Sequence, residues 1–200
     1  MKLLMSPPSP YARMIRILIR ELDLMDTVEE VQITTTAFNS APEIVAANPL
    51  GKIPALVRDD GPTLYDSRVI AQFLNDFAKA DLYPASRKWE VMTLEATAIG
   101  IMDSSVSMSY ETRLRPENQQ SPDWIEAQWE KAARGVKAVN DRWMSHLTGP
   151  LNIGHIAMGS VLSYLDLRHD ARGWRDGNEA LAAWHAEFAQ RPSMVETTPA

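Results

Sequence analysis

Hydrophobic positions in the first part of the chain alternate between the spacing of strands and that of helices. An apolar run at residues 3–5 is followed by a stripe with steps of four, three and four, made of Tyr11, Ile15, Leu18 and Leu22. Ser9 and Pro10 suit the N-cap and the first position of that helix. Short strands are predicted at residues 2–5, 28–33, 54–57 and 63–65. A second helix is predicted at residues 67–78, with a buried face of Val69, Ile70, Phe73, Leu74 and Phe77.

The pattern changes after Leu82-Tyr83-Pro84, which is typical of a linker. Helical stripes then follow one another, with a Ser121-Pro122 start for the second helix and Asn152 at the start of the third. Asn152 suits a cap, whereas His155, three residues later, lacks the negative charge that a helix N-terminus favours. The change in periodicity predicts an α/β domain at residues 1–79 followed by an all-α domain at residues 86–200.

Composition and charge exclude several classes of function. The net charge of −6 argues against nucleic-acid binding and against binding to anionic membranes. No apolar run is long enough for a transmembrane helix, and the first apolar run is too short for a secretory signal, so we expect a cytoplasmic protein. The absence of cysteine excludes a disulfide and a thiolate nucleophile. The four histidines lack metal-ligand spacing, and no metal is expected.

Three short segments carry a resemblance to a known family. They are Ser9-Pro10-Tyr11, the run from Asn48 to Pro54 (NPLGKIP), and Leu64-Tyr65-Asp66-Ser67 at another helix start. Their order and spacing resemble the cytosolic glutathione transferase superfamily over the whole chain, most of all its bacterial YibF-like branch. The resemblance implies a thioredoxin-like N-terminal domain, a helical C-terminal domain and a homodimer. It also implies glutathione as co-substrate, with no other cofactor.

The implied activity is attack of a glutathione thiolate on a small hydrophobic electrophile, which is either conjugated to glutathione or reduced through it. Ser9 is the candidate catalytic residue, because its hydroxyl at a helix start can donate a hydrogen bond to the sulfur. Ser9 can equally be a plain N-cap, and Ser6 and Tyr11 are rival hydroxyls. An alternative function is a glutathione-binding or regulatory protein of the same fold that has no turnover.

The other two segments supply the implied glutathione contacts. The resemblance implies a cis Ile53–Pro54 bond, with the backbone before Pro54 pairing with the cysteinyl backbone of glutathione, and Lys52 near its glycyl carboxylate. Asp66 would face the γ-glutamyl ammonium group and Ser67 its carboxylate. The plainer alternatives are a trans proline that opens an edge strand, a solvated lysine and an ordinary helix cap.

The first long helix of the all-α domain holds the remaining candidates. Asp103 is implied to reach the glutathione of the partner subunit, although it can instead form an inter-helix hydrogen bond. Met102, Val106 and Tyr110, together with Tyr11, are candidates for an electrophile pocket; such apolar stripes are more often core.

Overall fold

The computed structural model describes residues 1–199, and its contacts divide the chain into two compact units. The first unit contains residues 1–84 together with residues 191–199, and the second contains residues 85–190. This division differs from the predicted limits, in which the helical domain continued to residue 200. The reason is that the last segment of the chain binds the first helix of the first unit.

A small mixed sheet organises the first unit. Its strands are β1 (Lys2–Met5), β2 (Glu29–Gln32) and β3 (Ala55–Val57), and its helices are α1 (Pro10–Glu21), α2 (Pro42–Ala47) and α3 (Ser67–Phe77). Within residues 1–199 the sheet has three strands in the order β2-β1-β3. Strand β1 pairs in parallel with β2 and antiparallel with β3, with Leu4 opposite both Val31 and Ala55.

Side chains that alternate along β1 pack on the two faces of the sheet. On one face, Leu4 and Ala55 form a buried cluster with Ile44 of α2. Leu3 and Leu56 point to the other face and are fully buried, while α1 and α3 pack against each other. The sequence pattern did not predict α2, because six residues are too few to show a helical stripe.

Two predictions for the region around α3 are wrong. Residues 63–65 are not a strand, because only Leu64 bridges to Leu56. Val69 and Phe77 are exposed, since the buried stripe of α3 contains only Ile70, Ala71 and Leu74 among its apolar residues. Phe77 instead stacks on Phe73, with ring centroids 6.0 Å apart.

The second unit consists of helices. They are α4 (Lys88–Leu114), α5 (Pro122–Arg142), α6 (Met144–Leu147), α7 (Ile153–His169) and α8 (Glu179–Phe188). Helix α7 is the most buried of these, and it approaches α4 closely, because a Cβ at Gly154 would lie 2.8 Å from Leu94. None of the helices in the described part of the chain has the length and apolar character that a bilayer-spanning segment requires.

The start of α7 shows how a neutral side chain replaces a carboxylate. Asn152 Oδ1 accepts a hydrogen bond from Gly154 N at 2.9 Å, and His155 Nδ1 accepts one from Asn152 N at 3.3 Å. These bonds complete a capping box in which His155 supplies the reciprocal acceptor. A histidine can do this in its neutral form, so the box does not require the negative charge that the sequence lacks here.

Residues 191–199, which we call the C-terminal segment, include α9 (Pro192–Glu196) and bind α1. Arg13 donates from Nη2 to Met194 O at 3.1 Å, and Arg16 donates from Nη1 to Thr197 O at 3.4 Å. Both arginines are buried, and burial, together with the charge of Arg16, lowers the pKa of Arg13 to about 10. Arg13 is therefore still charged at neutral pH, and its guanidinium donates a hydrogen bond to the carbonyl of Met194.

Candidate functional site

Ser9 lies at the start of α1, as predicted, and acts as its N-cap. Its backbone is extended, with φ −76° and ψ 123°, and its Oγ accepts a hydrogen bond from Ala12 N at 3.3 Å. That bond uses a lone pair of the oxygen and leaves the hydroxyl hydrogen for donation to another group. The capping role and a donor role are therefore compatible in this half-buried side chain.

The rival hydroxyls lie on either side of Ser9. Ser6 is half-buried in the turn after β1, and its carbonyl accepts a hydrogen bond from Ser9 N at 3.0 Å. Tyr11 is half-buried in the first turn of α1. Of the three hydroxyl-bearing residues, only Ser9 is at the N-cap, where the helix dipole favours a negative charge.

The predicted Lys52-Ile53-Pro54 contacts fall on a loop between α2 and β3. The Ile53–Pro54 peptide bond is cis, as the family resemblance implied. Lys52 is exposed, Ile53 is half-buried and Pro54 is buried. The loop turns at Gly51, which has a φ of +64°, so a larger residue would be strained there, and its Cβ would lie 2.8 Å from Ser40 Oγ unless Ser40 moved.

Asp66 and Ser67 lie at the start of α3, with Asp66 as the N-cap. Asp66 Oδ1 accepts a hydrogen bond from Arg68 N at 3.0 Å, and its other oxygen pairs with the Arg68 guanidinium at 3.3 Å. Asp66 is exposed, whereas Ser67 is buried. A ligand cation at Asp66 would therefore share the carboxylate with Arg68, a pairing that the sequence reasoning missed. An arginine two residues after an N-cap aspartate was the available signal.

Strand register brings these segments to one edge of the sheet. Leu4, near the end of β1, lies opposite Ala55, the residue after Pro54. Leu56, two residues after Pro54, forms an antiparallel bridge with Leu64, two residues before Asp66. Ser9 lies four residues after the end of β1, so the segments that lead to Ser9, Pro54 and Asp66 adjoin paired parts of the sheet.

Comparison with known proteins gives the family. The family model "Glutathione S-transferase, N-terminal domain" matches residues 8–76, and "Glutathione S-transferase, C-terminal domain" matches residues 122–187. The chain is also 31% identical over 205 residues to the uncharacterized GST-like protein YibF of Escherichia coli (strain K12), covering 100% of this chain and 98% of YibF. The chain belongs to the glutathione transferase family.

Solved glutathione transferases have the same architecture. A family member from Pseudomonas fluorescens Pf-5, crystallised with bound glutathione, superposes with a TM-score of 0.96 and is 36% identical, covering 100% of this chain and 98% of that one. A glutathione S-transferase from Methylobacillus flagellatus KT with GSH bound has a TM-score of 0.86 and 34% identity, covering 100% and 99%. The predicted fold class, a thioredoxin-like α/β domain followed by an all-α domain, is confirmed.

The remaining candidates of this family member lie on α4, in the second unit. Asp103 and Tyr110 are exposed and Val106 is half-buried. Met102 is 0% exposed, so it belongs to the core and offers no accessible surface to a ligand. Among residues 1–199, no three acidic or histidine side chains form a cluster suited to a metal ion.

Proposed function

We propose that the protein binds glutathione at the sheet edge of its first unit and activates the thiol for attack on a small hydrophobic electrophile. The observation that carries this proposal is the Ser9 hydroxyl at the N-terminus of α1, which follows the strand that pairs with the segment after Pro54. The solved family members with bound glutathione, at 36% and 34% identity, support glutathione as the co-substrate.

The hydrogen bond from Ser9 and the dipole of α1 are together strong enough to lower the pKa of the glutathione thiol. A free thiol has a pKa of about 8.5, so only a few per cent is thiolate at neutral pH. Lowering that pKa by about two units takes about 2.7 kcal/mol of differential stabilisation. One hydrogen bond to a charged acceptor contributes roughly 1.5–3 kcal/mol, and a helix N-terminus roughly 0.3–1 kcal/mol. Ser9 acts as a donor to the sulfur and takes no proton from it.

The cysteinyl backbone and the charged groups of the tripeptide each have a partner. The backbone of Ile53 pairs with the cysteinyl residue as an added strand does, and Lys52 faces the glycyl carboxylate. The γ-glutamyl carboxylate binds the N–H and hydroxyl of Ser67 at the N-terminus of α3, and its ammonium group faces Asp66. These contacts orient the thiol toward the start of α1.

Conjugation is the reaction class that fits this chain. In the reaction with a chlorodinitrobenzene, the thiolate sulfur forms a bond to the ring carbon, the carbon–chlorine bond breaks and chloride leaves. The thiol proton goes to solvent. The chain has no cysteine, so it cannot form the protein–glutathione mixed disulfide that thiol–disulfide exchange through a protein cysteine requires.

Several finer expectations belong to the same proposal. Val106 and Tyr110 on α4 keep accessible surface for an apolar ligand, and Tyr11 does so on α1. We also propose a cytoplasmic homodimer in which Asp103 reaches the glutathione of the partner subunit.

Two assays test the proposed function: retention of the protein on immobilised glutathione and catalytic conjugation of electrophiles. We expect the protein to be retained on immobilised glutathione and to accelerate conjugation of several electrophiles above the uncatalysed rate. Retention without turnover on any electrophile would favour a binding or regulatory protein of this fold. Failure to bind glutathione would reject both functions.

Two substitutions of Asp66 separate its charge interaction with glutathione from its role as the N-cap of α3. Replacing Asp66 with asparagine keeps an oxygen that can accept from Arg68 N but removes the negative charge, so the Kd for glutathione should rise several-fold, about 0.5–1 kcal/mol. Asp66→Ala should add a stability loss of about 1 kcal/mol from the lost cap. Isothermal titration and urea unfolding measure the two effects, and an unchanged Kd in both variants would remove Asp66 from the site.

A further inference from the structure

Asn48 uses all of its polar groups to hold the loop before Pro54. Its backbone N–H donates to Ile44 O at 2.7 Å and its carbonyl accepts from Gly51 N at 2.8 Å. Its side-chain Oδ1 accepts from Leu50 N at 3.0 Å, and Nδ2 donates to Lys52 O at 2.8 Å. The residue is only 2% exposed. Asn48 therefore links the end of α2 to Lys52 through its backbone and its buried side-chain amide.

The bond to Lys52 has a consequence for its neighbour. The carbonyl of Lys52 and the N–H of Ile53 belong to the same planar peptide unit, and in a trans peptide they point in opposite directions. Holding the carbonyl toward Asn48 therefore directs the Ile53 N–H away from Asn48. Among residues 1–199, no hydrogen bond to that N–H is found, so it is available to a ligand.

We propose that Asn48 is a positioning residue for glutathione, which orients the Ile53 N–H for the cysteinyl residue by holding the Lys52 carbonyl. This inference rests on the proposed function. Asn48 itself does not touch the tripeptide; it acts through the Lys52–Ile53 peptide plane. Without the Nδ2 bond that plane can rotate, and the N–H loses its fixed direction before glutathione binds.

A merely structural role predicts something different. A buried asparagine that only stabilises its loop should change the free energy of unfolding and leave glutathione affinity of the folded protein intact. Asn75 provides the matched control, because it is also buried, donates from Nδ2 to Asp76 at 3.1 Å and accepts from Leu82 N at 2.9 Å. It lies near the C-terminal end of α3, about 13.5 Å along the helix from Asp66.

The test compares three variants with the wild-type chain. Asn48→Asp keeps the acceptor for Leu50 N but loses the donor to Lys52, Asn48→Ala loses both, and Asn75→Ala is the control. We expect the Kd for glutathione to rise about tenfold in both Asn48 variants, with kcat at saturating glutathione within about twofold of wild type. Asn75→Ala should be less stable but should bind glutathione as the wild type does.

The outcomes distinguish this inference from the proposed function. If the wild type binds glutathione and the folded Asn48 variants bind it equally well, the positioning role is overturned while the proposed function stands. If the wild type fails to bind, both fall. Should the Asn48 variants not fold, ¹⁵N relaxation of the Ile53 amide in the wild-type protein decides: an N–H that is already rigid without glutathione supports the inference, and one that becomes ordered only at saturating glutathione overturns it.

Discussion

Replacing Ser9 with alanine should raise the pKa of bound glutathione by about one to two units. The variant loses the donor that stabilises the thiolate, and one such charged hydrogen bond contributes roughly 1.5–3 kcal/mol. If the wild type lowers the thiol pKa by about two units from about 8.5, the thiolate fraction at pH 7, and kcat/KM for conjugation with it, should fall about 3- to 25-fold. Ultraviolet absorbance of the bound thiolate as a function of pH measures the pKa directly.

Ser121 offers a control for the lost helix cap. It also precedes a proline, and its Oγ accepts from Trp124 N at 3.2 Å, much as Ser9 accepts from Ala12 N at 3.3 Å. Both alanine variants should lose about 1 kcal/mol of stability, but only Ser9→Ala should affect the thiol. An unchanged thiol pKa in Ser9→Ala would show that Ser9 is only a cap, and Ser6→Ala and Tyr11→Phe would then test the rival hydroxyls.

Removing the C-terminal segment should destabilise the first unit by about 3–5 kcal/mol. A chain that ends at Gln190 leaves the buried Arg13 without the Met194 carbonyl and Glu21 without its ion pair to Arg191, which measures 2.6 Å. The deletion also removes the buried Met194 side chain and returns the arginines to water, so the loss comes from the deleted hydrogen bonds, ion pair and apolar contacts. Urea unfolding followed by circular dichroism measures the loss, and an unchanged midpoint would contradict the role of the segment.

Glu21→Gln tests the same attachment without shortening the chain. Burial alone would raise the pKa of Glu21, but hydrogen bonds from Arg191 and Ser193 bring it below its ordinary value of 4.5. A carboxylate with a lowered pKa contributes stability above the pKa it has in the unfolded chain and loses that contribution as the pH falls. The wild type should therefore be more stable than Glu21→Gln at neutral pH, by about 1–3 kcal/mol. This advantage should decline as the pH falls below 4.5 and vanish once the pH is below the lowered pKa of Glu21.

Glu196→Gln is the matched control for this comparison. Glu196 also pairs with an arginine of α1, Arg20 at 3.1 Å, but its side chain is 59% exposed. An exposed ion pair contributes about 0–1 kcal/mol, so this variant should remain close to the wild type at every pH. Equal effects of the two substitutions would mean that burial of Glu21 is unimportant.

Much of the candidate site could be predicted because helix starts are local features. A serine before a proline specifies an N-cap within a few residues, and Ser9 and Ser121 both cap helices where the sequence placed them. Asn48 was missed as a positioning residue, because the value of its side chain depends on a loop that folds back within reach of the Lys52 carbonyl. Nothing in the residue type alone distinguishes such an asparagine from one in a solvated turn.

The sequence by itself determined the order of elements and the change from an α/β to an all-helical unit, since hydrophobic spacing and capping act over one or two turns. Only the tertiary structure decided which polar side chains are buried. Arg13 and Arg16, on the opposite face from the apolar stripe of α1, are inside because the chain returns after residue 190 with carbonyl groups that bind them. That partnership joins residues far apart in the chain, and no local pattern encodes it.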